Sequence, residues 1–122
     1  MGMRHSTSKS FRYAYQGLKT ALRNEPNLRI HTFFALLAIS LGAFLHISQV
    51  EWLVLAFTIF YVISLELLNT VLEAIVDLVS PEIKDAAKTA KDVSAAMVLL
   101  AAFFSIVVGI ILFLPKLLTL IA

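Results

Sequence analysis

Apolar residues along this chain gather into three long runs, and the polar positions between and within them define the elements. Crossing about 30 Å of hydrocarbon takes about 20 helical residues at 1.5 Å each. The first run, 32–47, is short for a crossing and is extended by the semi-polar ends His31 and His46. The second covers 52–79 and the third 93–114, where Pro115, lacking an N–H and clashing with the preceding turn, is expected to stop the helix. The tight connection Ser48 to Glu51 leads into Trp52, a place suited to an aromatic interface anchor. The pattern predicts an all-α integral membrane protein, one domain over 1–122, with an N-terminal segment 1–25, three transmembrane helices and a loop 80–92.

Ahead of the first run, Phe11, Ala14, Tyr15, Leu18 and Leu22 recur at helical spacing, with Arg12, Lys19 and Arg23 elsewhere around the turn. This pattern predicts an amphipathic helix on the membrane surface, which as a bare anchor would need no further role than attraction to anionic lipids. Pro26 is expected to separate it from the first span. Six of the ten basic residues, Arg4, Lys9, Arg12, Lys19, Arg23 and Arg29, precede Thr32. Lys84, Lys88 and Lys91 lie in the second connection, whereas the first carries only Glu51. The positive-inside rule therefore puts the N-terminus and the 80–92 loop in the cytosol and the C-terminus outside. No small-residue cleavage site accompanies the first run, so no cleaved leader is expected.

Composition narrows the chemistry. With 60% hydrophobic and 15% charged residues and a mean hydropathy of +0.90, the chain is outside the range of soluble domains. A net charge of +2 is too small to suggest nucleic acid as a partner. Without cysteine there is neither a disulfide nor a thiolate zinc site, so any metal must be held by carboxylates or imidazoles.

The second run is interrupted in an ordered way. Glu66, Asn69, Glu73 and Asp77 follow one another at intervals of three, four and four, which keeps them within roughly 80° of arc on one helix face. A charge near the bilayer centre costs about 2.5–3.5 kcal/mol on insertion scales, so three acids on one helix need partners, ions or water. Measured from Trp52, Glu66 lies about 21 Å along the axis and Glu73 about 10 Å further, so the stripe runs from the inner leaflet to cytosolic water. A reaction joining a membrane-dissolved alcohol to a water-soluble nucleotide needs such a site; interhelical hydrogen bonding accounts for Asn69 or Asp77 alone, but not for Glu66 and Glu73 together.

Glu25 falls at the same interfacial depth as Glu73, and two carboxylates from separate elements suit Mg²⁺, though a residue next to Pro26 is equally well a solvated turn position. Lys84, Lys88 and Lys91 can meet a polyphosphate as point charges, while Asp92 can cap the third helix or orient a lysine; for Lys84 and Lys88 the positive-inside rule is explanation enough. His5, His31 and His46 have no metal-ligand spacing and are expected as surface or interface residues. No GxxxxGK[ST] or GxGxxG segment occurs, which excludes a P-loop or protein-kinase fold.

At these residues the chain resembles a known family. The string Glu66-Leu-Leu-Asn69-Thr-Val-Leu-Glu73-Ala-Ile-Val-Asp77 and the later Ala90-Lys91-Asp92-Val-Ser-Ala-Ala are similar to the ExxNxxxExxxD and AKD signature of prokaryotic diacylglycerol kinases. The resemblance extends over nearly the whole chain from Phe11. It implies a homotrimer with composite sites between protomers, ATP as co-substrate and Mg²⁺ held by Glu25 and Glu73. By the same resemblance Glu66 is the general base, and Asn69 and Asp77 are polar partners in the catalytic site. Tyr13, Lys91 and Asp92 fall beside the nucleotide, and Glu82 to Lys84 match loop positions near the nucleoside, with side chains that differ from the best-known members. The Val50-Glu51-Trp52-Leu53 connection and the Phe-Leu-Pro-Lys ending at Lys116 resemble the Gram-positive branch, which implies undecaprenol as acceptor, with diacylglycerol as the alternative.

The expectation is an ATP- and Mg²⁺-dependent lipid kinase of the bacterial plasma membrane, in contact with membrane lipids. A small proton-coupled transporter is the alternative of another class, but it needs a pathway open to both sides, and 52–65 carries no ionisable group except Tyr61. A catalytically inactive structural subunit is at odds with the intact Glu66, Asn69, Glu73, Lys91 and Asp92.

Overall fold

The computed structural model describes residues 6–82 and 84–122; Arg4, His5 and Ile83 lie outside the described residues. Four helices follow one another: α1 (Thr7–Asn24), α2 (Pro26–Leu45), α3 (Gln49–Val79) and α4 (Asp85–Ile121). The last three are long and apolar enough to cross a membrane. Short connections make α2, α3 and α4 run up, down and up, with α3 and α4 packed most extensively, α2 against α3, and α1 against α2.

Local chemistry explains the boundaries. Proline disfavours helical backbone in the residue before it, and Glu25 ahead of Pro26 is extended at φ −110° and ψ 101°, so it ends α1 and opens α2. Pro26 then occupies the first helical turn of α2, where its missing N–H costs nothing. α2 ends on His46, whose left-handed backbone (φ 51°) turns the chain while Ile47 N–H donates to Gly42 O at 3.2 Å. A capping box starts α3: Glu51 N–H donates to Ser48 Oγ at 3.2 Å, and Ser48 N–H donates to Glu51 Oε1 at 3.1 Å.

Two expectations at α4 are corrected. The helix begins at Asp85, more than two turns before the apolar run, so Asp92 lies inside it and does not cap it. An acid in the first turn and the Lys88–Asp92 pair one turn apart both favour helix there. Pro115 does not stop α4, which continues to Ile121. Leu112 and Phe113 are anchored in the core just before the proline, and Lys116 Nζ pairs with Glu51 Oε2 at 3.1 Å just after it, so tertiary contacts offset the one lost backbone bond.

The apolar core sits at the α2–α3 end, where buried Ile47, Leu55, Leu112 and Phe113 pack with Leu41, Trp52 and Ile59. Trp52, expected as an interface anchor, packs in this core: its ring lies against Gly42, where an added Cβ would be 3.0 Å from both Trp52 Cη2 and Ile47 Cδ1. Gly42→Val is expected to destabilise the fold by about 1–3 kcal/mol through overpacking, measurable as a lowered melting temperature in detergent. Elsewhere most large apolar side chains face outward, including Phe33, Phe57, Leu99 and Phe103, as a chain solvated by lipid requires. The buried polar side chains Glu66 and Ser94 lie towards the α3–α4 end.

Candidate functional site

The polar stripe of α3 meets a different helix at each level. Glu66, deepest in the bundle, is only 3% exposed and faces α2, with its Oε1 3.1 Å from His31 Nε2. The imidazole is off the axis of a directed hydrogen bond, so this oxygen is buried with no hydrogen-bond partner among the described residues. One turn on, Ser94 Oγ on α4 donates to Asn69 Oδ1 at 2.5 Å, and Asn69 Nδ2 donates to Glu73 Oε1 at 3.4 Å. Beyond these, Lys91 Nζ pairs with Asp77 Oδ1 at 2.5 Å. Lys88 Nζ pairs with Asp92 Oδ2 at 2.6 Å, so of the two roles open to Asp92 it takes that of orienting a lysine.

Glu25 reaches the cluster from the α1–α2 junction. Arg29 fixes that junction by donating from Nη1 to the carbonyls of Leu22, at 3.1 Å, and Arg23, at 2.6 Å. With Gln16, Asn24 and Thr70, Glu25 lines a pocket of about 310 Å³ between α1 and α3. Thr70 is the neighbour of Asn69 in the stripe, so this pocket sets Glu25 beside the polar part of α3. Among the described residues no group of three or more His, Cys, Asp or Glu side chains is arranged to hold a metal ion by itself. A hard cation completed by water and phosphate oxygens, with one or two protein carboxylates, fits this donor set.

The structure therefore brings Glu25, Glu66, Asn69, Glu73, Asp77 and Lys91 to one end of the bundle. Glu82 and Lys84 lie in the exposed connection between α3 and α4, where the Glu82 carbonyl accepts a hydrogen bond from Ser80 Oγ at 2.8 Å. Tyr13 is exposed on α1. In the other half, α3 buries Leu55, Thr58 and Val62 and no ionisable side chain, which leaves the transporter alternative without a second half-path on that helix.

Two side chains at the site were not legible in the sequence. Ser94 is buried and holds Asn69; its position in Ala90-Lys91-Asp92-Val-Ser, one turn past Lys91, was the available signal. Ser94→Ala would leave the Asn69 carbonyl oxygen without its donor, and a loss of about 1–3 kcal/mol in stability is expected, with a smaller fall in turnover than removal of any site carboxylate; thermal melting and kcat on one preparation check both. His31, expected as an interface residue, touches Glu66.

Comparison with known proteins finds relatives over most of the chain. The family profile described as prokaryotic diacylglycerol kinase matches residues 12–113. A Synechocystis protein named diacylglycerol kinase is 46% identical over 112 residues, which cover 91% of this chain and 64% of that protein. The Bacillus subtilis undecaprenol kinase is 38% identical over 109 residues, 89% of each chain. The diacylglycerol kinase of Escherichia coli K12 is 30% identical over 104 residues, 85% of each chain.

Proposed function

Because this chain belongs to the prokaryotic diacylglycerol kinase family and is a membrane lipid kinase with ATP as co-substrate, we propose that it phosphorylates undecaprenol at the cytosolic face of the bacterial plasma membrane. The observation that carries the reading is the placement of Glu66, a buried carboxylate one turn past the cavity-lining Val62 and against the cavity-lining His31, at the head of a polar stripe that runs out to Asp77 and its partner Lys91.

Glu66 is the base. It accepts the proton of the lipid hydroxyl as that oxygen attacks the γ-phosphorus; the bond from phosphorus to the bridging β–γ oxygen breaks, and ADP leaves. Phosphoryl transfer needs positioning and charge neutralisation more than covalent chemistry, so the remaining residues act on geometry and charge. Ser94 holds Asn69, and Asn69 orients Glu73. Asp77 holds Lys91 extended beside the stripe, where its ammonium meets phosphate oxygens. Glu25 and Glu73 would hold Mg²⁺, which supplies neutralisation of the phosphate charge. Tyr13, Glu82, Lys84 and Asp92 bound the nucleotide side.

The surroundings follow from the same reading. α1 rests on the inner membrane surface, because Phe11, Tyr15 and Leu18 are exposed apolar side chains interleaved with Arg12, Lys19 and Arg23. The basic N-terminal segment and the α3–α4 connection are cytosolic, and the C-terminus is outside. The working unit is a homotrimer: a single protomer leaves Asp77 64% exposed and Glu73 and Asn69 half-buried on a helix that crosses lipid, and a second protomer covers them.

Undecaprenol is favoured over diacylglycerol by the two Gram-positive features, which meet in space as the Glu51–Lys116 pair. The test is kcat/KM for undecaprenol and for diacylglycerol in the same mixed micelles. A higher value for undecaprenol supports the assignment; a higher value for diacylglycerol makes this a phosphatidic acid-forming enzyme with the same machinery.

A further inference from the structure

His31 stands where the apolar part of the bundle meets the site. Its place on α2 is rigidly determined: Leu28 is 1% exposed at the helix base, Thr32 Oγ1 donates to Leu28 O at 2.8 Å, and Arg29 ties the preceding turn to the carbonyls that end α1. Only 22% of the His31 side chain is exposed. His31 lines a cavity of about 550 Å³ between α2, α3 and α4, together with the apolar Phe34, Leu55, Val62 and Phe113. Its Nε2 is 3.1 Å from Glu66 Oε1, and that oxygen is buried with no directed hydrogen bond among the described residues.

A base in this setting needs its carboxylate turned to the acceptor hydroxyl, and the nearest side-chain donor to the buried oxygen is the imidazole. Catalytic hydrogen bonds are often slack in the free enzyme and tighten when substrate arrives. We propose that His31 is a positioning residue for Glu66: its Nε2–H holds Oε1 at the mouth of the apolar cavity, so that the carboxylate faces the hydroxyl of a lipid alcohol whose chain lies along that cavity. This rests on the reading of Glu66 as the base. The bonds made and broken in the transfer are unchanged; His31 fixes the direction from which the proton is taken.

The test compares wild type, His31→Leu and His31→Gln in micelles with saturating ATP and a varied lipid alcohol. A misplacement of about 1 Å at a reacting group can cost on the order of 100-fold in rate, so His31→Leu is expected to lower kcat by about 10- to 100-fold with KM for ATP unchanged. His31→Gln keeps an N–H donor at similar reach and is expected to recover most of the loss, while both variants melt within a few degrees of wild type. A purely structural role would move melting temperature and leave kcat alone, or impair both variants alike, and either result overturns the proposal. Wild-type kcat in His31→Leu overturns it as well while leaving the kinase reading standing. Absence of transfer by wild type to either alcohol removes the kinase reading and this inference with it.

Discussion

Glu66→Gln is expected to reduce phosphate transfer by about 10²- to 10⁴-fold, the contribution of a positioned general base, while leaving the protein folded. The amide has the same shape and reach but cannot take the hydroxyl proton. Its effect on stability has the opposite sign to that on activity. Glu66 is 3% exposed with one oxygen lacking a hydrogen-bond partner among the described residues, so replacing a charge by a neutral amide lowers the cost of burial in the membrane. The variant should therefore melt at or above the wild-type temperature and keep its oligomeric state by size exclusion in detergent. Near-normal turnover would remove Glu66 from the role of base, and loss of fold would make it structural.

Glu73→Gln is expected to act on the metal. Losing even a supporting partner of a metal ligand costs on the order of 10- to 100-fold in metal affinity, so loss of a ligating charge should raise the Mg²⁺ concentration for half-maximal activity by at least that factor. Partial rescue at high Mg²⁺ is expected, since Asn69 still donates at this position and Gln retains an acceptor oxygen. Glu25→Gln should shift the Mg²⁺ dependence in the same direction, and the double variant should fall short of the product of the two, because both act on one ion. A Glu73→Gln enzyme with wild-type Mg²⁺ dependence and lowered kcat would move this carboxylate out of the metal site.

The sequence carried the apolar architecture because lipid imposes a length and a composition that leave few alternatives: three runs, the tight connection at Ser48 to Glu51, and the break at Glu25-Pro26 all correspond to helix boundaries or helix interiors in the structure. The polar stripe was legible for the same reason, since four polar residues on one face of a membrane helix stand out against leucine and valine. The two errors at α4 have a common cause. Charge density between Asp85 and Asp92 looks like a loop when only hydropathy is weighed, although the Lys88–Asp92 spacing is a helix signal; Pro115 ends helices in water, whereas here Phe113 and Lys116 are held by tertiary contacts on either side. Ser94 and His31 escaped because little marks them locally beyond the place of Ser94 one turn past Lys91. A serine among alanines and a histidine at the start of an apolar run gain their meaning only from the residue opposite, Asn69 in one case and Glu66 in the other.

Carboxylates at one end of the three-helix membrane bundle are expected to carry out metal-dependent phosphate transfer from ATP to a lipid alcohol. Transfer of label from γ-labelled ATP to undecaprenol and diacylglycerol by the purified protein in mixed micelles, with Mg²⁺ and with the metal chelated, decides the matter. Labelled lipid phosphate formed only in the presence of Mg²⁺, with undecaprenol the better acceptor, is the result expected; equal labelling after chelation, or no labelling of either alcohol by an intact oligomer, would contradict it.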